Sequence, residues 1–127
     1  MDFVKAGPFT VDDLTSDEAN DFSIQPVELY TDSYINIVLE TFIDVDSSHG
    51  QFITEKTLKP IMHNQMFICM AEHHHLKHLR ELGYKTFNGI IDESYDNIEN
   101  TELRFKAVLQ LIKSINKMPL ETVHELY

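Results

Sequence analysis

Phe52-Ile53-Thr54-Glu55-Lys56-Thr57-Leu58-Lys59-Pro60-Ile61 lies between two short apolar runs, Tyr34-Ile35-Asn36-Ile37-Val38-Leu39-Glu40-Thr41 and Met66-Phe67-Ile68-Cys69-Met70-Ala71. How it is read decides the fold. The flanking runs are rich in β-branched, aromatic and other large apolar residues, which suits buried strands. Thr54 has the side chain of a helix N-cap, and Glu55 follows it in the first turn, so a helix is expected to run to about His63. Pro60 is awkward there, because a proline inside a helix loses one hydrogen bond and crowds the preceding turn. A kink is expected, or two short pieces with Pro60 opening the second.

Outward from this core the alternation continues. Leu76, Leu79 and Leu82 mark a helix face, with Gly83 at its C-terminal cap. Tyr84 to Phe87 reads as a third strand, and Asp92-Glu93-Ser94-Tyr95-Asp96 as an acidic turn. Asn100 caps the longest helix, expected to reach about Lys117. Its apolar positions include Leu103, Ala107, Leu111 and Ile115, joined by Phe105, Val108, Leu109 and Ile112. Pro119 ends it, and a short helix follows. Residues 1–32 are acidic and interrupted by Pro8 and Pro26, an irregular lead-in with one short helix near 11–20. Strands alternating with helices argue for an α/β domain over 33–127, with a short parallel sheet flanked by helices. The expected form is a small three-layer, Rossmann-like unit.

The 127 residues suffice for one core and not for two. No apolar run approaches the length needed to span a bilayer, and the N-terminus lacks the pattern of a secretory signal. One cysteine, Cys69, leaves no intrachain disulfide and fits a cytoplasmic protein. A net charge of −11 disfavours nucleic acid, whose backbone such a surface repels. Any anion site must therefore be local, built from particular lysines and backbone N–H groups.

The start of the helix capped by Thr54 has that character. Unpaired N–H groups and the positive dipole end receive phosphate. Lys56 adds a mobile positive charge, and Glu55 can accept hydrogen bonds from sugar hydroxyls. Taken together, Val38-Leu39-Glu40-Thr41, Phe52-Ile53-Thr54-Glu55-Lys56, the Met66–Met70 run and Leu76 to Asp96 resemble the C-terminal, donor-binding half of a B-fold glycosyltransferase. The pattern is that of α1,3-fucosyltransferase-like enzymes and of glycosyltransferase-related proteins of phages and marine bacteria. The resemblance covers about residues 33–115.

It implies a nucleotide-sugar ligand, a GDP- or UDP-sugar, with no cofactor or metal. Lys56 would contact the donor phosphate and Glu55 the ribose or neighbouring hydroxyls. Thr54 would belong to the same donor site, and Glu40 would lie near the donor sugar. Positive charge at the diphosphate stabilises the leaving group as charge develops on it. Thr41 stands where the family has Asn, and Glu72-His73-His74-His75 replaces a loop that usually carries Gly or Pro. The chain has no counterpart of the acceptor-binding half, so no catalytic residue is assigned. It reads as a fragment or remnant, completed by an acceptor-domain partner or by homo-oligomerisation.

Rival readings stay open. A remnant interaction module would keep the fold and bind no nucleotide. Asp44-Val45-Asp46 has the Asp-x-Asp form that can hold a divalent cation. Asp44, Asp46, Ser48 and Glu55 also fall at ligand positions of a calcium loop, but His49 stands where that loop needs glycine. His74 and His78 share a helix face and could hold a metal, although a solvated helix start is the simpler reading of the histidine run. Cys69 is read as a core residue.

Overall fold

A computed structural model of the chain describes residues 27–44 and 50–127. The three decisive segments form a strand, a helix and a strand, as read. Strand β1 (Ile35–Leu39) and strand β2 (Met66–Met70) are parallel, joined by a crossover that contains helix α2 (Glu55–Met62). The register runs from Ile35 against Met66 to Leu39 against Met70. A short helix, α1 (Val27–Thr31), precedes β1, and α3 (His75–Glu81) follows β2. A 3-10 turn (Ser94–Asn97), α4 (Thr101–Asn116) and α5 (Leu120–Leu126) complete the order. Helix α2 packs on both strands, and α4 packs on β2 and the 3-10 turn. The chain is thus a mixed α/β protein whose two-stranded parallel sheet is packed against helices.

The core centres on β2, every residue of which is buried, together with Val38, Leu76, Leu79, Ile91, Tyr95 and Val108. Burying such side chains contributes about 1.5–3 kcal/mol each. On α4 the inward stripe is Arg104, Val108, Leu111 and Ile115, while Leu103, Phe105 and Leu109 are exposed. One helix face cannot seat every apolar residue of that helix.

Pro60 lies inside α2, and the helix is one continuous segment, not two pieces. The proline forfeits only the bond its own N–H would make to Lys56. Its ring is fully buried, and its carbonyl accepts the Gln65 N–H at 2.9 Å. At the end of α3, Gly83 takes φ +94°, with Gly83 N–H bonded to the Arg80 carbonyl and Tyr84 N–H to that of Leu79, both at 3.0 Å. This crossed pair needs a left-handed residue, which glycine supplies without strain.

Tyr84 to Phe87 is not a strand; an isolated bridge between Asn88 and Ile91 is all that forms nearby. Its backbone has other partners. The Phe87 N–H donates to Glu93 Oε1 at 2.7 Å, and the Thr86 hydroxyl to Glu93 Oε2 at 2.8 Å. The edge of β2 that a third strand would use is also occupied. Met70 bonds toward β1, accepting the Glu40 N–H at 3.0 Å. The alternation of a parallel ladder then turns Cys69 and Ala71 outward. The Cys69 N–H donates to the Tyr95 hydroxyl at 3.1 Å, and the Ala71 carbonyl accepts from Arg104 Nε at 2.9 Å.

Helix α1 falls in the stretch read as irregular. Its end is fastened by the Ser33 hydroxyl on the Leu29 carbonyl, and Tyr30 stacks on His63 with ring centroids 4.5 Å apart. The helix expected near 11–20 lies outside the described residues. Among those described, no helix is long and apolar enough to cross a membrane.

Candidate functional site

Both α2 and α3 begin beyond the carboxyl ends of the strands, where open α/β sheets bind ligands. At α2 the sequence supplies its own cap. Thr54 is extended, and its hydroxyl oxygen accepts the Lys56 N–H at 3.2 Å. Glu40, one residue past β1, holds Thr54 in place. Its carboxylate accepts the Thr54 N–H at 3.1 Å, the Thr54 hydroxyl at 2.7 Å, the Thr57 hydroxyl at 2.6 Å and the Thr41 N–H at 3.1 Å. Burial acts to raise the Glu40 pKa, but the hydrogen bonds from Thr57, Thr54 and Thr41 outweigh it and leave the carboxyl below its ordinary value. Glu40 is only 5% exposed, so it faces the protein interior and supports the helix start from below.

Glu55 and Lys56 face solvent on the same turn. The Lys56 ammonium donates to the Thr41 hydroxyl at 3.1 Å and sits 3.5 Å from Glu55 Oε1. Thr41 thereby ties the lysine across the strand end. All four residues named from the sequence, Glu40, Thr54, Glu55 and Lys56, meet at the α2 start. Two present charge outward, and two hold the scaffold.

Beneath them is a polar cluster that the sequence reading did not assemble. Thr57 is fully buried, with its hydroxyl oxygen 3.2 Å from His75 Nε2 and 3.7 Å from Cys69 Sγ. The single Thr57 proton goes to Glu40, so His75 donates through Nε2. His75 Nδ1 is then a buried acceptor with no partner among the described residues. Burial depresses the His75 pKa, opposed by the charges of Glu40 and Asp96. The Cys69 thiol is pushed up to about 12, chiefly by burial, so it is no nucleophile near neutrality. The histidine run is therefore divided. His73 and His74 stack with ring centroids 3.6 Å apart, and His75 belongs to the core instead of a solvated helix start.

The start of α3 is built differently. His74, at φ +65°, gives no side-chain cap, and Asp96 takes that role from a distance. Its two carboxylate oxygens accept the Leu76 and Lys77 N–H groups at 2.9 and 3.0 Å, while its carbonyl accepts the His74 N–H. Arg104 is 1% exposed and donates to the backbone carbonyls of Ala71, Ile98, Glu99 and Ile43. Glu93, also buried, accepts from Arg80 at 3.0 Å as well as from Thr86 and Phe87. The signals for two of these were available. No cap residue precedes His75, so a distant acceptor was required, and Arg104 occupies an inward position of α4.

The Asp44 carboxylate accepts the Thr101 hydroxyl at 2.6 Å. Val45, Asp46, Ser48 and His49, the remainder of the Asp-x-Asp and calcium-loop patterns apart from Glu55, lie outside the described residues. Among the described residues no three His, Cys, Asp or Glu side chains converge on a metal-sized site. No family model, curated protein or solved structure matches this chain.

Proposed function

We propose that the chain is a glycosyltransferase-like domain that binds a nucleotide-sugar donor at the start of α2, within a three-layer, Rossmann-like arrangement. The observation that carries this reading is the position of Lys56. Its exposed ammonium is held by Thr41 over a capped helix N-terminus at the carboxyl end of β1. That combines the positive end of a helix dipole with an exposed cation, both of which favour a diphosphate. Glu55 stands beside it to receive hydroxyls of the ribose or sugar. Glu40 and Thr54 keep the helix start in register with the strand end. In a working transferase this charge would stabilise the departing nucleoside diphosphate.

Thermal denaturation with millimolar GDP or UDP tests the reading, because a ligand that binds only the native state raises the melting temperature. A rise with one diphosphate, absent in Lys56→Ala, is expected. Lys56 is exposed, so the unliganded variant should lie within about 0.5 kcal/mol of the parent. No rise with either nucleotide would overturn the donor site. The second reading, a remnant interaction module without nucleotide binding, is favoured by the inward engagement of Glu40 and would then stand.

A further inference from the structure

The two edges of the sheet are unlike. On the outer side of β2, the Cys69 N–H and the Ala71 carbonyl are taken by Tyr95 and Arg104. On β1 the same ladder alternation that turns Val38 and Glu40 toward β2 turns the N–H and C=O groups of Ile35, Ile37 and Leu39 outward. Among the described residues nothing pairs with that edge. The Ile37 and Leu39 side chains beside it are 48% and 60% exposed. Edge strands are commonly guarded by charge, proline or a bulge. Ile35-Asn36-Ile37-Val38-Leu39 has no charged residue and no proline.

We propose that this edge is a self-association surface, on which a second copy of the chain adds its own β1 antiparallel about a two-fold axis at Ile37. The register is self-complementary. Ile37 faces Ile37 of the second copy and Ile35 faces Leu39, so every outward N–H and C=O meets its complement in a hydrogen-bonded pair. The same register covers the exposed apolar side chains with one another. Asn36 faces Val38, so no like charges are opposed, as they would be over most of a chain of net charge −11. Because the two-fold register uses β1 of both copies, and the β2 edge is obstructed at Cys69 and Ala71, association stops at a closed pair with a four-stranded sheet. Five residues per strand make a small contact, so a weak interface is expected. The dimer is therefore concentration-dependent.

Sedimentation equilibrium of the full chain from about 1 to about 200 µM tests this, a range centred on micromolar affinity. The expected result is a shift from the 14.8 kDa monomer toward twice that mass. Ile37→Pro removes one outward N–H and leaves the β1–β2 ladder intact, and it should abolish the shift. Ile37→Lys, which adds a charge to the edge, should do the same and serves where the proline variant loses its native circular dichroism. A parent that stays monomeric throughout, or folded variants that associate as the parent does, would overturn the proposal.

Discussion

The starts of α2 and α3 lie at the ends of adjacent strands, yet they are made in opposite ways. Helix α2 is capped by Thr54, the residue next to it in sequence, and Glu40 reinforces that cap from the strand it follows. Its outer surface stays open and carries Lys56. Helix α3 has no local cap, and its first N–H groups are taken by Asp96, buried and contributed from the far side of the next turn. A local cap uses a donor of its own helix and leaves the outer surface, with Lys56, exposed. A distant one uses the same donors to bind the fold together.

The largest expected effect comes from breaking the distant cap. Asp96→Ala leaves the Leu76 and Lys77 N–H groups without their carboxylate and should cost about 3 kcal/mol, since hydrogen bonds to a charged group contribute roughly 1.5–3 kcal/mol each. Urea unfolding followed by circular dichroism measures it; a loss below about 1 kcal/mol would show that α3 does not depend on Asp96. Glu40→Gln should cost less, about 2 kcal/mol. The amide keeps one acceptor oxygen but turns an NH2 toward donors that need an acceptor. It should also lower nucleotide affinity, if Thr54 holds the α2 start in place for the ligand. A stability change with unchanged affinity would separate the two roles.

The smallest effect is on pH dependence. His75 is held below its ordinary pKa in the folded state, so below about pH 6.5 the unfolded chain binds the extra proton and the folded chain resists it. Stability present above that value should fall as the medium is acidified. Glu40, also depressed, adds a second loss only as the pH passes below its ordinary value near 4.5. Urea midpoints at several pH values should resolve the two windows, and His75→Leu should flatten the upper one alone. An unchanged upper slope in that variant would assign it to other groups.

What was legible in the sequence was short-range. The β-branched run ending at Leu39, the Thr54 cap and Gly83 each depend on neighbours within a few residues, and each formed as read. What was not legible depends on partners far along the chain. Tyr84–Phe87 has strand-like residues, but Glu93 takes its amide and Tyr95 closes the edge it would have joined. The histidine run looked polar, yet Thr57, 18 residues away, draws His75 into the core. At the site, residue types at the helix start pointed to Thr54, Glu55 and Lys56, and the resemblance implied Glu40. They could not say that Glu40 turns inward, because that follows from where Thr57 stands on the buried side of α2.

Cys69 has a use of its own. It is the only cysteine of the chain, 2% exposed, with its thiol pushed up to about 12. Alkylating reagents act on the thiolate of an accessible sulfur, and here neither condition is met while β2 is intact. The rate at which this sulfur becomes labelled therefore reads how often the centre of the molecule opens. The chain carries its own clock for rare unfolding, with no introduced probe.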